Sequence, residues 1–117
     1  MPEALAKTPD RRIMQSTMIN SEPADLSAWC DLVRAFAAHL IGRYGKAEVE
    51  SLLFTVWNEP DTPLSLFGFA SDEEFYRFYY ATWQTLRAVP ARLRIAAPST
   101  YYDPIDNGTW LRGFTQW

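Results

Sequence analysis

The chain has 117 residues, 48% of them hydrophobic and 21% charged, which suits one small globular domain and argues against disorder. A net charge of -3 and a pI near 5.0 exclude a basic surface for nucleic acid or anionic membranes. Its apolar runs fall short of the roughly 20 residues that a membrane span needs, and the single cysteine, Cys30, excludes an internal disulfide.

The first half of the chain is predicted to be a loop followed by a helix. Prolines interrupt residues 1–25, which carry no clean period and are predicted to form a long loop. Apolar residues then recur at spacings of three and four, which predicts an amphipathic helix over residues 26–45, with Gly45 as its C-terminal cap. The apolar positions are Leu26, Trp29, Val33, Phe36, Ala37, Leu40, Ile41 and Tyr44.

Two short apolar runs, residues 52–57 and 93–97, are predicted to be β-strands. The first run is almost continuously apolar and rich in residues that favour strands, which is typical of a parallel strand buried on both faces. Pro60 follows the first run closely and Pro98 ends the second, and proline cannot donate a hydrogen bond to a strand ladder.

A helix is predicted over residues 71–89, between the two strands. Ser71 and Glu74 have the spacing of a capping box, so Ser71 is the expected N-cap. A last helix is predicted to start near residue 109 and to continue to residue 117.

The order loop, helix, strand, helix, strand, helix predicts an α/β fold. Two buried strands joined through a helix form a βαβ unit, in which the strands are parallel and the crossover is right-handed. Two strands alone cannot provide the neighbours and the cover on both faces that a parallel sheet requires. The chain is therefore expected to be part of a larger sheet.

The run Trp57-Asn58-Glu59-Pro60 comes directly after the first predicted strand, where parallel α/β folds gather their active-site groups. Glu59, beside an aromatic neighbour, is predicted to be a proton donor, which is what a departing glycosidic oxygen requires. The Asn58 amide can hydrogen-bond a sugar hydroxyl, and Pro60 stiffens the turn. The same residues also suit an ordinary turn, because Asn and Pro favour turns and Glu is soluble.

Several motifs in a fixed order resemble glycoside hydrolase family 39, the family of β-xylosidases and α-L-iduronidases. The resemblance covers nearly the whole chain and is weakest over residues 7–21 and beyond Tyr101. The segments that carry it are Met1–Leu5, Trp29–Phe36, His39–Ile41, Arg43–Gly45, Val56–Asp61 and Arg94–Ser99.

The resemblance implies a fragment of a (β/α)8 TIM barrel, roughly from the loop after strand 3 through helix 5. It implies a retaining glycosidase of the β-xylosidase type, in which Glu59 is the general acid/base and Asn58 contacts the sugar 2-hydroxyl. The nucleophile of this family comes from strand seven and would lie beyond Trp117, so the chain alone is expected to be inactive. The implied partner is a carbohydrate, such as a xylo-oligosaccharide.

The aromatic residues divide into two groups by position. Those at helical spacing are predicted to pack in the core; they are Trp29, Phe36, Phe75 and Trp83. Trp57, beside the proposed proton donor, is a candidate for substrate contact. So are the aromatic residues in the loops after the strands, namely Phe67, Phe69, Tyr101 and Tyr102.

The sequence has no glycine-rich phosphate loop, nucleophile elbow or metal-ligand spacing, so no cofactor and no metal site are predicted. No signal peptide is visible, but the N-terminus is expected to be truncated, which leaves cytoplasmic and secreted locations both open. Two other functions stay open. One is a non-catalytic carbohydrate-binding or assembly segment of the same fold; the other is an unrelated small α/β domain in which Glu59 merely ends a strand.

Overall fold

The structure, a computed structural model, describes residues 1–12, 19–62, 68–101 and 107–117 and combines helices with a small parallel sheet. No helix within these ranges is both long and apolar enough to cross a bilayer. In chain order the elements are a 3-10 turn at Glu3–Leu5, α1 at Leu26–Tyr44, α2 at Lys46–Ser51, β1 at Leu53–Phe54, α3 at Asp72–Arg87, β2 at Arg94–Ile95 and α4 at Thr109–Gln116.

Helix α1 begins and ends at residues with clear capping roles. The Asp25 carboxylate accepts hydrogen bonds from the backbone N–H groups of Ser27, at 2.8 Å, and Ala28, at 3.4 Å. The helix ends one residue before the predicted boundary, because Gly45 adopts a φ of 84°. Helix α2, which follows Gly45, was not predicted: only Val49 is buried in it, so it has no periodic apolar pattern.

Helix α3 starts at the predicted capping box. The Ser71 hydroxyl accepts a hydrogen bond from the Glu74 N–H at 3.2 Å, while the Glu74 carboxylate accepts one from the Ala70 N–H at 3.0 Å. The helix ends at Arg87, two residues before the predicted boundary.

The strands are much shorter than the predicted ranges 52–57 and 93–97. They pair in parallel over two residues each, with Leu53 opposite Arg94 and Phe54 opposite Ile95. The expectation that the first strand is buried on both faces is wrong for this chain, since the Leu53 side chain is 59% exposed. The sheet of the described residues contains only these two strands. Helices pack against the face that carries Phe54 and Ile95, while the face that carries Leu53 and the outer edges of the sheet lack the cover that parallel strands need.

Two hydrophobic clusters hold the helices against the sheet. The first lies between α1, α2 and α3, and its buried members are Val33, Ala37, Val49, Leu86 and Leu93. The second is mainly aromatic, and its buried members are Val56, Phe69, Phe75, Tyr76 and Phe78. Trp29 packs against both clusters, and its indole N–H donates to the Thr82 hydroxyl at 2.8 Å.

The prediction that helical aromatic residues lie in the core is correct for Phe75, which is 1% exposed, and Trp29 is partly buried. It is wrong for Phe36 and Trp83, which are 52% and 37% exposed. Phe36 instead lies at the edge of an apolar cleft beside β1. Helical spacing places a residue on one face of a helix but does not ensure that another element covers that face.

The N-terminal segment folds back on itself and docks against the chain just before α3. Antiparallel bridges join Ala6 to Pro23 and Arg12 to Ile19. The Glu22 N–H donates to the Gly68 carbonyl at 3.1 Å. The predicted loop is therefore tied to the connection that leads from β1 to α3.

Candidate active site

The chain turns sharply after β1, at the residues singled out in the sequence. The Glu59 N–H donates to the Ser99 carbonyl at 2.8 Å, and the Thr62 N–H donates to the Glu59 carbonyl at 3.1 Å. The first of these bonds joins the loop after β1 to the loop after β2. Pro60 is buried within the turn. Both loops leave the carboxyl ends of parallel strands, where active sites of such folds lie.

The backbone of this turn is strained at two positions. Trp57 has a φ of 66° and Glu59 a φ of 49°, values that side chains with a Cβ rarely adopt. Each such residue costs about 1–3 kcal/mol and persists only where the surroundings impose it. Strain of this kind clusters at functional sites, and here it flanks Asn58 on both sides.

The three predicted side chains differ in their surroundings. Glu59 is half-buried and Asn58 is exposed. The half-buried ring of Trp57 packs edge-on against Phe69, with ring centroids 5.1 Å apart, and against Phe78, at 5.6 Å. The Trp57 ring therefore anchors the turn to the aromatic cluster.

Tyr101 is joined to the same turn through Asp61. The Tyr101 N–H donates to both oxygens of the Asp61 carboxylate, at 2.8 and 3.0 Å. Tyr101 itself is 54% exposed. Sequence reasoning missed the contribution of Asp61; the only available signal was its place directly after Asn58-Glu59-Pro60.

Of the other loop aromatic residues, Phe69 is buried in the core, with 5% exposure, which makes the prediction of substrate contact wrong for it. Phe67 and Tyr102 lie outside the described residues.

Tyr79, on α3, donates a hydrogen bond from its hydroxyl to the Ala96 carbonyl at 2.8 Å and so fixes the chain just after β2. Burial raises the pKa of Tyr79 above its usual value.

Comparisons with known proteins indicate the family of this chain. The sequence model described as glycosyl hydrolases family 39 matches residues 1–116. A β-xylosidase of Geobacillus stearothermophilus is 33% identical over 99 residues, which are 85% of this chain and 19% of that protein. Human α-L-iduronidase is 39% identical over 70 residues, which are 60% of this chain and 11% of that protein.

Solved structures show the same likeness. A GH39 β-xylosidase from Caulobacter crescentus superimposes with a TM-score of 0.72 at 35% identity, over 81% of this chain and 21% of that one. A monomeric β-xylosidase from Caulobacter crescentus CB15 gives a TM-score of 0.75 at 31% identity, over 95% of this chain and 22% of that one. The chain thus spans about a fifth of the length of these β-xylosidases.

Proposed function

This chain belongs to glycosyl hydrolase family 39, and from that membership we propose that it carries the acid/base portion of a retaining, β-xylosidase-like enzyme. Glu59 is its general acid/base, and the substrate is a xylo-oligosaccharide or a related glycoside. The chain corresponds to the part of a (β/α)8 barrel from the loop after strand 3 through helix 5. We refer to the full-length protein that carries these residues as the parent enzyme.

The observation that carries this proposal is the placement of Glu59. Its half-buried side chain lies on a strained turn in the loop that follows β1, and its backbone is hydrogen-bonded to the loop after β2. A carboxyl group needs a fixed position to protonate a leaving oxygen, because positioning errors of about 1 Å can reduce the rate by about a hundredfold. The two joined loops supply that fixation.

The proposed reaction is a double displacement. A carboxylate of the parent enzyme, outside this chain, attacks the anomeric carbon and forms a glycosyl-enzyme ester while Glu59 donates a proton to the leaving oxygen. Glu59 then removes a proton from the incoming water, which attacks the anomeric carbon and releases the sugar and the nucleophile carboxylate. The two carboxyl groups of a retaining glycosidase lie about 5 Å apart.

The neighbours of Glu59 have supporting roles in this proposal. Asn58, whose side chain is exposed beside Glu59, donates a hydrogen bond to the sugar 2-hydroxyl. The exposed ring of Tyr101 offers a face on which a sugar ring can stack. The Trp57 ring is held in the aromatic cluster, so it shapes the turn more than it contacts substrate.

Apolar surface near β1 supports the view that more of the barrel covers this chain in the parent enzyme. Leu53 is 59% exposed and Phe36 is 52% exposed. Between α1, β1 and α3 lies an apolar cleft of about 190 Å³, which Phe36, Phe54 and Trp57 help to line. Soluble proteins seldom leave such surface uncovered, and the further strands and helices of a complete barrel would bury it.

The test is hydrolysis of nitrophenyl β-xyloside by the parent enzyme, by its Glu59→Gln variant and by this chain alone. We expect an active parent enzyme, a Glu59→Gln variant weakened by about 10²–10⁴-fold, the usual contribution of a general acid/base, and an inert chain. Glu48→Gln is the matched control, because Glu48 is an exposed glutamate on α2. It should keep full activity.

Azide provides a second test of the role of Glu59. In Glu59→Ala, azide can attack the glycosyl-enzyme without a general base, which forms β-xylosyl azide and releases the nucleophile carboxylate. We expect azide to restore turnover of a xyloside with a good leaving group in Glu59→Ala and to leave the wild-type rate unchanged. A parent enzyme without activity would favour a non-catalytic carbohydrate-binding segment, and full activity of Glu59→Gln would remove the proposed role of Glu59.

A further inference from the structure

We propose that Asp61 is a positioning residue, which holds the Glu59 turn in place by binding the backbone of the loop after β2. The inference rests on the proposed role of Glu59 as general acid/base. Its basis is the pair of hydrogen bonds from the Tyr101 N–H to the Asp61 carboxylate, at 2.8 and 3.0 Å.

Two hydrogen-bonded contacts hold the turn, one on each side of Pro60. Before Pro60, the Glu59 N–H is bonded to the Ser99 carbonyl; after it, the Asp61 carboxylate accepts from the Tyr101 N–H two residues further along the second loop. With a single backbone hydrogen bond, the loop after β1 could rotate about that contact. Two bonds to successive parts of the same neighbouring loop remove that freedom.

The strained backbone explains why a second contact, from the Asp61 carboxylate, is needed. Glu59 keeps a φ of 49° only if its surroundings impose that conformation. Without the Asp61 carboxylate, the chain after Glu59 can relax toward ordinary φ values, and the side chain of Glu59 then moves with the turn. A displaced donor would protonate the leaving oxygen less well, although the rest of the sugar site would be intact.

This reasoning predicts a loss that depends on the leaving group. Phenyl β-xyloside needs protonation of its departing oxygen, whereas dinitrophenyl β-xyloside leaves readily as the anion. In the parent enzyme, Asp61→Ala is expected to lower kcat/KM for phenyl β-xyloside by about 10–100-fold and to change kcat/KM for dinitrophenyl β-xyloside little. The ratio of the two values reports on acid catalysis independently of the amount of folded enzyme.

Two further variants separate positioning from charge and from folding. Asp61→Asn removes the charge and keeps one acceptor oxygen, so it should show the same selective loss with a smaller magnitude. It can be assayed in place of Asp61→Ala if that variant does not fold. Asp31→Ala removes a carboxylate that is 70% exposed on α1 and should leave both substrates unaffected.

The outcomes distinguish this inference from the proposed function. A selective loss on phenyl β-xyloside in Asp61→Ala or Asp61→Asn supports a positioning role. Equal losses on both substrates, or no loss on either, would overturn it. If Glu59→Gln also lacks a selective loss, the proposed function fails as well; if Glu59→Gln shows that loss and the Asp61 variants do not, the inference about Asp61 fails by itself.

Discussion

Replacing Gly68 by alanine should loosen the attachment of the N-terminal segment to the chain before α3. Gly68 has a φ of 93°, and a Cβ there would lie 2.9 Å from the Asn20 side-chain oxygen and 3.0 Å from the Ser21 nitrogen. A left-handed conformation costs a residue with a Cβ about 1–2 kcal/mol, and forcing extra volume into a packed site costs about 1–3 kcal/mol. The two effects together predict a loss of about 2–5 kcal/mol.

Hydrogen exchange at the Glu22 amide measures this loss where it occurs, because the Glu22 N–H donates to the Gly68 carbonyl at 3.1 Å. In the parent enzyme, a loss of about 2 kcal/mol corresponds to exchange about 30-fold faster. Gly42→Ala is the control: a Cβ at Gly42 meets nothing within 4 Å, and alanine favours a helix by about 0.5–1 kcal/mol over glycine. Unchanged exchange in Gly68→Ala, or equally fast exchange in Gly42→Ala, would refute the reasoning.

Two further predictions concern the cap of α3 and the link from α3 to the end of β2. Ser71→Ala should lower the free energy of unfolding by about 1 kcal/mol, measured by urea unfolding of the parent enzyme. Ser71→Asp keeps an acceptor and should not lower it, so equal losses in the two variants would contradict the capping role. Tyr79→Phe removes the bond to the Ala96 carbonyl and should cost about 1 kcal/mol at neutral pH. Because burial raises the pKa of Tyr79, the neutral hydroxyl is favoured in the fold, and its contribution should be lost as the pH rises above about 10. The stability difference between wild type and Tyr79→Phe should therefore shrink in alkali, and a growing difference would contradict this assignment.

The helices with local signals were predictable from the sequence. The capping box at Ser71 fixed the start of α3 because both partners lie within one turn of each other. The apolar period and Gly45 located α1 to within one residue. Helix α2 has neither a capping box nor an apolar period, so it was not predicted. The strands were predicted too long because a strand exists only where a neighbouring strand pairs with its backbone.

The candidate site was predictable in part. The position of Glu59 follows from a local pattern, an apolar strand that stops at a turn, and the turn lies where that pattern places it. The roles of Ser99 and Asp61 depend on hydrogen bonds between residues about 40 positions apart, which no local spacing reveals. Burial of Phe69 was missed for a different reason: Phe69 precedes α3 and belongs to no periodic pattern, so its spacing does not show that the rings of Phe75 and Phe78 on α3 cover it.

The bond between Glu59 and Ser99 uses main-chain atoms on both sides. Any amino acid at position 99 supplies the same carbonyl oxygen, so this anchor does not depend on the serine hydroxyl. Position 99 is therefore open to other amino acids, provided that the loop keeps its path.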